Sequence, residues 1–185
     1  GSQPQGIDIS ADGSKLIVCA SGTSFIYLVD LASATPVVTS IPLPRTQYLA
    51  LRLPFYAVCT SNNRAVISSQ NENFMLEFDF TTQSFREISE YFSGVRYLAA
   101  SPDKSTIVAT ETLVSSCFAQ KYSPSTGQFS PYITIPRSIS SASVRNDGTT
   151  LFNEFVINPL GQILGRQPTF TAANRSPNWS CFNSD

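Results

Sequence analysis

The sequence predicts an all-β fold of short antiparallel strands joined by tight turns. A motif made of an apolar run, a turn and a second apolar run recurs along the chain. Charged residues make up only 14% of the sequence, and Ser and Thr fill many of the remaining polar positions. Helical periodicity is nearly absent, since only "QSFREISEYFSG" spaces its apolar residues as a helix would, and we interpret it as a strand and a loop.

The recurring motif is centred on a two-residue turn, found at Asp12-Gly13, Asn62-Asn63, Asp103-Lys104 and Asp147-Gly148. The first residues of these pairs lie 50, 41 and 44 positions apart. Asp-Gly or Asn-Asn between apolar runs favours a hairpin, because these residues tolerate the positive φ that such turns need. We interpret the aspartates as turn formers that bond their own backbone.

A second turn follows in each repeat, within "VDLASATPV", "FDFTTQSFREI", "YSPSTGQFSPYI" and "INPLGQIL". Each repeat therefore contains four strands in roughly 45 residues, which is typical of a β-propeller blade. Strands such as "SKLIVCA" are apolar on both faces, as expected for a sheet packed on both sides. A β-sandwich is the alternative, but it would not require a sequence motif that repeats at this spacing.

This pattern divides the chain into segments. We interpret residues 1–2 as a cloning scar, 3–46, 47–94 and 95–137 as three blades, 138–167 as a short fourth blade, and 168–185 as an irregular tail. The inner strand of the second blade is either "YLALRL" or "FYAVCTS". In the fourth blade, "LFNEFV" predicts a tight hairpin through Asn153 and Glu154.

The stretch "GIDISADGSKLIVCASGTSFIYLVDLASATPVVTSIPLP" resembles a YVTN-type repeat of the lactonase-like β-propeller superfamily. "SADG", "SPDK" and "RNDG" match the first part of the family's pattern, and "VDLAS", "FDFTTQ" and "SPSTGQ" match the second. The first and third units match well, and the second and fourth poorly. The resemblance implies a propeller and indicates little about activity.

Four blades would form an open arc with an apolar sheet face at each end, which a soluble monomer rarely tolerates. We expect missing blades of a longer parent chain to cover these faces. A homodimer is the next expectation, and a closed four-blade ring plugged by the tail is the third.

The four cysteines, Cys19, Cys59, Cys117 and Cys181, form no CxxC pair, and the chain has no histidine. A zinc site is therefore not expected. We expect the first three to be core residues within apolar strands. One or two disulfides are the alternative, and Cys181 is the cysteine that we expect to be bonded or reactive.

Composition also restricts the partners. With a net charge of −1 and no basic stripe, nucleic acid is not expected. No apolar run approaches the roughly 20 residues that span a bilayer. The low charge and high Ser and Thr content favour a secreted, periplasmic or cell-surface protein. Asn174 and Asn178 fit the N-glycosylation pattern, which matters if a eukaryotic cell exports the protein.

Without histidine, the chain cannot form a Ser-His-Asp triad or a Cys-His dyad. The informative polar residues lie on loops that share one rim of a propeller. We expect six of them to contact a ligand: Arg45, Gln47, Tyr91, Arg96, Arg137 and Asn71. Arginines near a channel mouth could bind an anionic group in bidentate fashion, or could be ordinary solvated surface residues.

The sequence thus favours a non-catalytic binding module without a cofactor, which presents rim loops to a protein, a glycan or a surface. The alternative is a lactonase-like, metal-dependent hydrolase. The resemblance implies a divalent metal such as calcium for that alternative, with Glu72, Glu111 and Glu154 as the nominated ligands.

Overall fold

The computed structural model describes residues 3–45, 52–69, 75–88, 96–111, 117–136, 142–152 and 154–166. These residues form strands, turns and bends without a helix, which confirms the all-β prediction. It follows that this part of the chain has no helix long and apolar enough to cross a membrane.

The described residues form four antiparallel sheets, in which strands that follow one another along the chain are neighbours, except for β12 and β13 of sheet 3. Sheet 1 contains β1 (Pro4–Ile9), β2 (Lys15–Ala20), β3 (Phe25–Asp30) and β4 (Val37–Pro42). Sheet 2 contains β5 (Pro54–Cys59), β6 (Arg64–Ser69), β7 (Leu76–Asp79) and β8 (Ser84–Glu87). Sheet 3 contains β9 (Arg96–Ala100), β10 (Ile107–Glu111), β11 (Cys117–Ser123), β12 (Gln128–Phe129) and β13 (Ile133–Ile135). Sheet 4 contains β14 (Ala142–Val144), β15 (Thr150–Phe152), β16 (Phe155–Ile157) and β17 (Ile163–Arg166).

Two details resolve or refine the sequence analysis. The inner strand of sheet 2 is β5, which begins one residue before "FYAVCTS" and covers its first five residues. The outer strand of sheet 3 is split, because β12 and β13 both pair with β11. Between these two strands Ser130 still bonds to β11, its amide donating to the Lys121 carbonyl at 2.8 Å. Pro131 follows directly and has no amide proton to offer, which accounts for the break.

The first turn of every sheet has the backbone geometry that its sequence predicts. Gly13, Asn63, Lys104 and Gly148 have φ of 73°, 58°, 58° and 81°. Lys104 is the exception in residue type, because a lysine rarely adopts positive φ. In the first turn, hydrogen bonds from the Ser10 hydroxyl and the Ser14 amide lower the pKa of Asp12 to about 2. The structural interpretation of the turn aspartates is thus confirmed at this position.

The sheets stack in chain order, so that β1 contacts β5, β5 contacts β9, and β9 contacts β14. Within the described residues, an apolar cluster fills each of the three spaces between consecutive sheets. Sheets 1 and 2 enclose Ile17, Cys19, Ile26, Ile67 and Phe78 among others. Val66, Met75, Ile107 and Tyr122 lie between sheets 2 and 3, and Val108, Ile135, Phe152 and Ile157 lie between sheets 3 and 4. Sheets 2 and 3 are therefore packed on both faces, as the doubly apolar strands predict.

The inner strands of sheets 1 and 2 approach each other closely at Gly6. A Cβ atom placed on Gly6 would lie 2.6 Å from Tyr56 Cα and 2.7 Å from the Ala57 nitrogen. Both neighbours are backbone atoms, so they cannot move aside as the end of a flexible side chain could. Glycine is therefore required here so that β1 can lie against β5.

We expect Gly6→Ala to lower the free energy of unfolding by roughly 2 kcal/mol or more, because the two strands must separate to admit a methyl group. Gly165→Ala is the matched control, since Gly165 also lies in a strand and an added Cβ would meet nothing within 4 Å. Chemical denaturation of both variants measures the difference. Equal stability of the two variants would contradict the close approach.

Three cysteines lie in the core of the described part of the chain. Cys19, Cys59 and Cys117 are fully buried, which confirms the expectation of core residues, and no disulfide joins any two of them. Burial raises the pKa of the Cys59 thiol to about 12, and the nearby Asp8 carboxylate acts in the same direction. Burial and the neighbouring Cys59 likewise raise the pKa of Cys19. Cys181 lies outside the described residues.

We expect these three thiols to react slowly with an alkylating reagent at pH 8, because burial keeps the reagent away from all of them. At Cys19 and Cys59 the raised pKa also leaves almost no thiolate. In denaturant the same thiols should react at least on the order of a hundredfold faster. Peptide mass spectrometry follows each cysteine separately and keeps Cys181 out of the comparison. Rapid labelling of Cys19 and Cys117 in the native protein would refute their placement in buried strands.

Candidate binding site between the inner strands

A groove of about 430 Å³ lies between the inner strands of sheets 1, 2 and 3. β1, β5 and β9 form its walls, and the turn that follows β9 closes one end. Most of its lining is aliphatic or backbone. The polar side chains that line it belong to Gln5, Asp8, Tyr56, Ser101 and Lys104.

The Asp8 carboxylate connects three sheets at the closed end of the groove. Its Oδ2 accepts hydrogen bonds from the Cys59 amide of sheet 2 and from Lys104 Nζ of sheet 3, each at 2.7 Å. The amide of Ile9 donates to Oδ1 at 2.8 Å. The carboxylate is thus neutralised by an ammonium group and held by two amides, and each of these bonds is charge-assisted.

Lys104 reaches Asp8 from the turn of sheet 3. Its backbone adopts the positive φ that the turn requires. Its carbonyl accepts a hydrogen bond from the Ser61 amide of sheet 2 at 2.9 Å. Only 17% of its side chain is exposed, so the ion pair is partly shielded from solvent. The unusual lysine at this turn position therefore joins sheet 3 to both sheet 2 and sheet 1.

One aromatic residue, Tyr56, is among the residues that line the groove. Tyr56 packs edge-on against Phe55, with ring centroids 4.7 Å apart, and at a tilt against Tyr97 at 5.0 Å. Partial burial, followed by the proximity of Tyr97, raises the pKa of Tyr56. Tyr56 therefore keeps its proton at neutral pH and presents an apolar ring together with a hydroxyl group.

Comparison with known proteins shows what this arrangement of sheets is. No protein-family model and no curated protein matches the sequence. Among solved structures, the chain is similar to the Dos1 propeller, with a TM-score of 0.71 and 17% identity over 91% of this chain and 49% of that one. The four sheets are β-propeller blades. The recognition of propeller blades from the repeat is thereby confirmed.

Two further matches are enzymes or candidate enzymes. Virginiamycin B lyase from Staphylococcus aureus matches with a TM-score of 0.68 and 16% identity over 92% of this chain and 57% of that one. A candidate 6-phosphogluconolactonase from Bacteroides uniformis matches with a TM-score of 0.64 and 13% identity, over 88% of this chain and 53% of that one. This chain thus spans about half the length of the propellers that it matches. At these identities the similarity shows the fold alone.

Of the six rim residues nominated from the sequence, Arg45 and Arg96 lie among the described residues. Arg45 is exposed after sheet 1, and Arg96 begins the inner strand of the third blade, where its backbone pairs with that of Glu111. The positions Gln47, Tyr91, Arg137 and Asn71 lie outside the described residues, as do Asn174 and Asn178.

The nominated metal ligands are only partly described. Glu111 ends β10 and is buried, and Glu154 lies in the tight turn between β15 and β16. Glu154 accepts a hydrogen bond from Arg166 at 2.5 Å. Glu72 lies outside the described residues. Among the residues that are described, no group of three acidic, cysteine or histidine side chains could hold a metal ion.

Sequence analysis missed Asp8, Tyr56 and Lys104 as site residues. The "SPDK" turn contained a usable signal, because Lys104 occupies a position where the other blades carry glycine or asparagine. Asp8 gave no signal, since an aspartate in "GIDIS" resembles any polar residue on an exposed strand edge. Its role depends on two residues, Cys59 and Lys104, that lie 51 and 96 positions away.

A second polar cluster joins blades 2 and 3 away from the groove. Glu77 is only 3% exposed and accepts hydrogen bonds from the Tyr122 hydroxyl, from Arg64 at 2.8 Å and from Arg86 at 3.2 Å. Burial and the hydrogen bond to Glu77 raise the pKa of Tyr122. The cluster compensates one buried carboxylate with two guanidinium groups, and it therefore holds the two blades together.

We expect Glu77→Gln to lower the free energy of unfolding by roughly 1–2 kcal/mol, because the hydrogen bonds that Tyr122, Arg64 and Arg86 donate to a carboxylate become weaker bonds to a neutral amide. Asp147→Asn removes the same charge from an exposed turn in which asparagine fits equally well, and little change is expected there. Denaturant titration of the two variants gives the comparison. If Glu77→Gln proves as stable as Asp147→Asn, the cluster contributes little to the stability of the protein.

Proposed function

We propose that this chain is the ligand-binding part of a non-catalytic β-propeller module, and that the groove between the inner strands takes a glycan. The observation that supports this proposal is the groove itself. It combines the Tyr56 ring with uncharged hydrogen-bonding side chains, while its one ion pair is internally satisfied. Its volume falls within the usual range for small-ligand pockets, roughly 300–1,000 Å³.

The chemistry of the lining favours a neutral ligand with hydroxyl groups. A tyrosine offers an apolar ring face on which a sugar ring can stack, and a hydroxyl group that can bond to the ligand. Gln5 adds an amide group on the wall that β1 forms. An anionic ligand would instead have to displace Asp8 from Lys104, which would leave that carboxylate without its ion-pair partner.

The wider setting that we propose is an exported or cell-surface protein, on the ground of the low charge and high Ser and Thr content. Propellers host both enzymes and binding proteins, so the fold alone does not decide between them. The alternative function is a metal-dependent hydrolase with ligands at Glu72, Glu111 and Glu154. Elemental analysis tests it, because stoichiometric calcium or zinc in the purified protein would favour the hydrolase.

A glycan panel combined with two groove variants tests the proposed function. We expect at least one oligosaccharide to bind, and we expect Tyr56→Phe and Gln5→Ala to weaken that binding by about tenfold each, as the loss of one ligand hydrogen bond would. Calorimetric titration with and without a chelator measures both affinity and metal dependence.

The control for these variants is Thr126→Ala, which alters an exposed turn outside the groove. It should leave binding unchanged, and thermal denaturation should show that all three variants remain folded. The proposal fails if no glycan of the panel binds, or if binding is insensitive to both groove variants. Binding that a chelator abolishes would favour the hydrolase.

A further inference from the structure

Sheet 1 has one face that no other described sheet covers. The cross-strand pairs Ile9–Leu16, Leu16–Val29 and Val29–Val38 form one apolar row on this face, and Ile7–Val18 belongs to the next row. We call these six residues the open face. Ile7, Ile9 and Val38 are 65%, 45% and 62% exposed. The open face carries no charge.

The same kind of surface is buried wherever it occurs between two blades. The opposite face of sheet 1 presents Ile17 and Ile26, which are fully buried against sheet 2. Sheet 2 in turn uses its second face, with Val66, to pack on sheet 3. The open face thus repeats the aliphatic chemistry of a blade-to-blade contact and lacks only the next blade.

We propose that a further propeller blade of the same polypeptide, outside the 185 residues of this sequence, packs on the open face. It would continue the arc on the side of sheet 1 that lies away from sheet 2. The partner is a four-stranded antiparallel sheet with an uncharged aliphatic face. The length comparison agrees, since this chain spans only 49% and 57% of two propellers that it matches.

The size of the open face favours a covalently linked blade over a second copy of the chain. Four strands about 4.8 Å apart, each six residues long at about 3.3 Å per residue, present about 400 Å². Stable complexes between separate proteins bury about 800 Å² on each partner. A tethered blade needs less area, because it does not lose the translational freedom that association of two molecules costs.

The native protein in its source provides the first test. Antibodies raised against this chain should detect a polypeptide heavier than 20.1 kDa by at least about 5 kDa, the mass of one blade of about 45 residues. A native protein of 20 kDa that runs as a dimer would overturn the proposal in favour of a second copy. A native monomer of 20 kDa would also overturn it.

Hydroxyl-radical footprinting tests the position of the added blade. Tyr27 pairs with Val18 beside the open face, so its oxidation should fall several-fold in the longer native protein relative to the 185-residue chain. Tyr132 is 45% exposed in blade 3 and serves as the control whose oxidation should not change. Equal oxidation of Tyr27 in both proteins would place the blade elsewhere and overturn the proposal.

A charge substitution tests the open face in the 185-residue chain itself. Val29→Lys should reduce the binding of a hydrophobic dye several-fold, because it introduces a charge in the centre of the face. Val37→Lys makes the same change at an exposed position on the opposite face of sheet 1 and should leave dye binding unchanged. If the two variants bind the dye equally, the open face is not a docking surface.

Discussion

The contact on which the inner part of the molecule depends is the Asp8 carboxylate. This carboxylate belongs to sheet 1, and it accepts hydrogen bonds from a backbone amide of sheet 2 and from an ammonium group of sheet 3. Asp8 can reach the Cys59 amide only because β1 lies close against β5, and Gly6 is what permits that approach. A backbone constraint and an ion pair two residues apart thus determine together how three blades meet.

The same contact determines the character of the groove. Because Lys104 is engaged by Asp8, the closed end of the groove is electrically neutral despite its two charged side chains. The remaining lining offers aromatic surface and uncharged hydrogen-bonding groups. A neutral pocket lined by a tyrosine is suited to a hydroxylated ligand, and this is the basis on which we propose a binding role.

Away from the groove, the blades are held together mainly by apolar packing between successive sheets. Among the described residues, the apolar contacts of each sheet are with the sheets next to it along the chain, and the Asp8–Lys104 ion pair adds a polar contact between blades 1 and 3. The buried Glu77 cluster supplements the packing between blades 2 and 3. An open arc of blades leaves a face of its first blade uncovered, and among the described residues the open face of sheet 1 is such a face.

The sequence by itself determined the strands, the turns and the blade architecture. Asp12-Gly13 and Asp147-Gly148 encode positive φ through their own residue types, and runs such as "KLIVCA" encode burial on both faces. These signals are local, because turn geometry and strand pleating depend on residues close together in the chain. Tertiary structure alone decided that Asp8 meets Lys104, and that Glu154 pairs with Arg166. The reason is that side chains from different strands meet according to how sheets and strands pack, and neither residue spacing nor residue type specifies that packing.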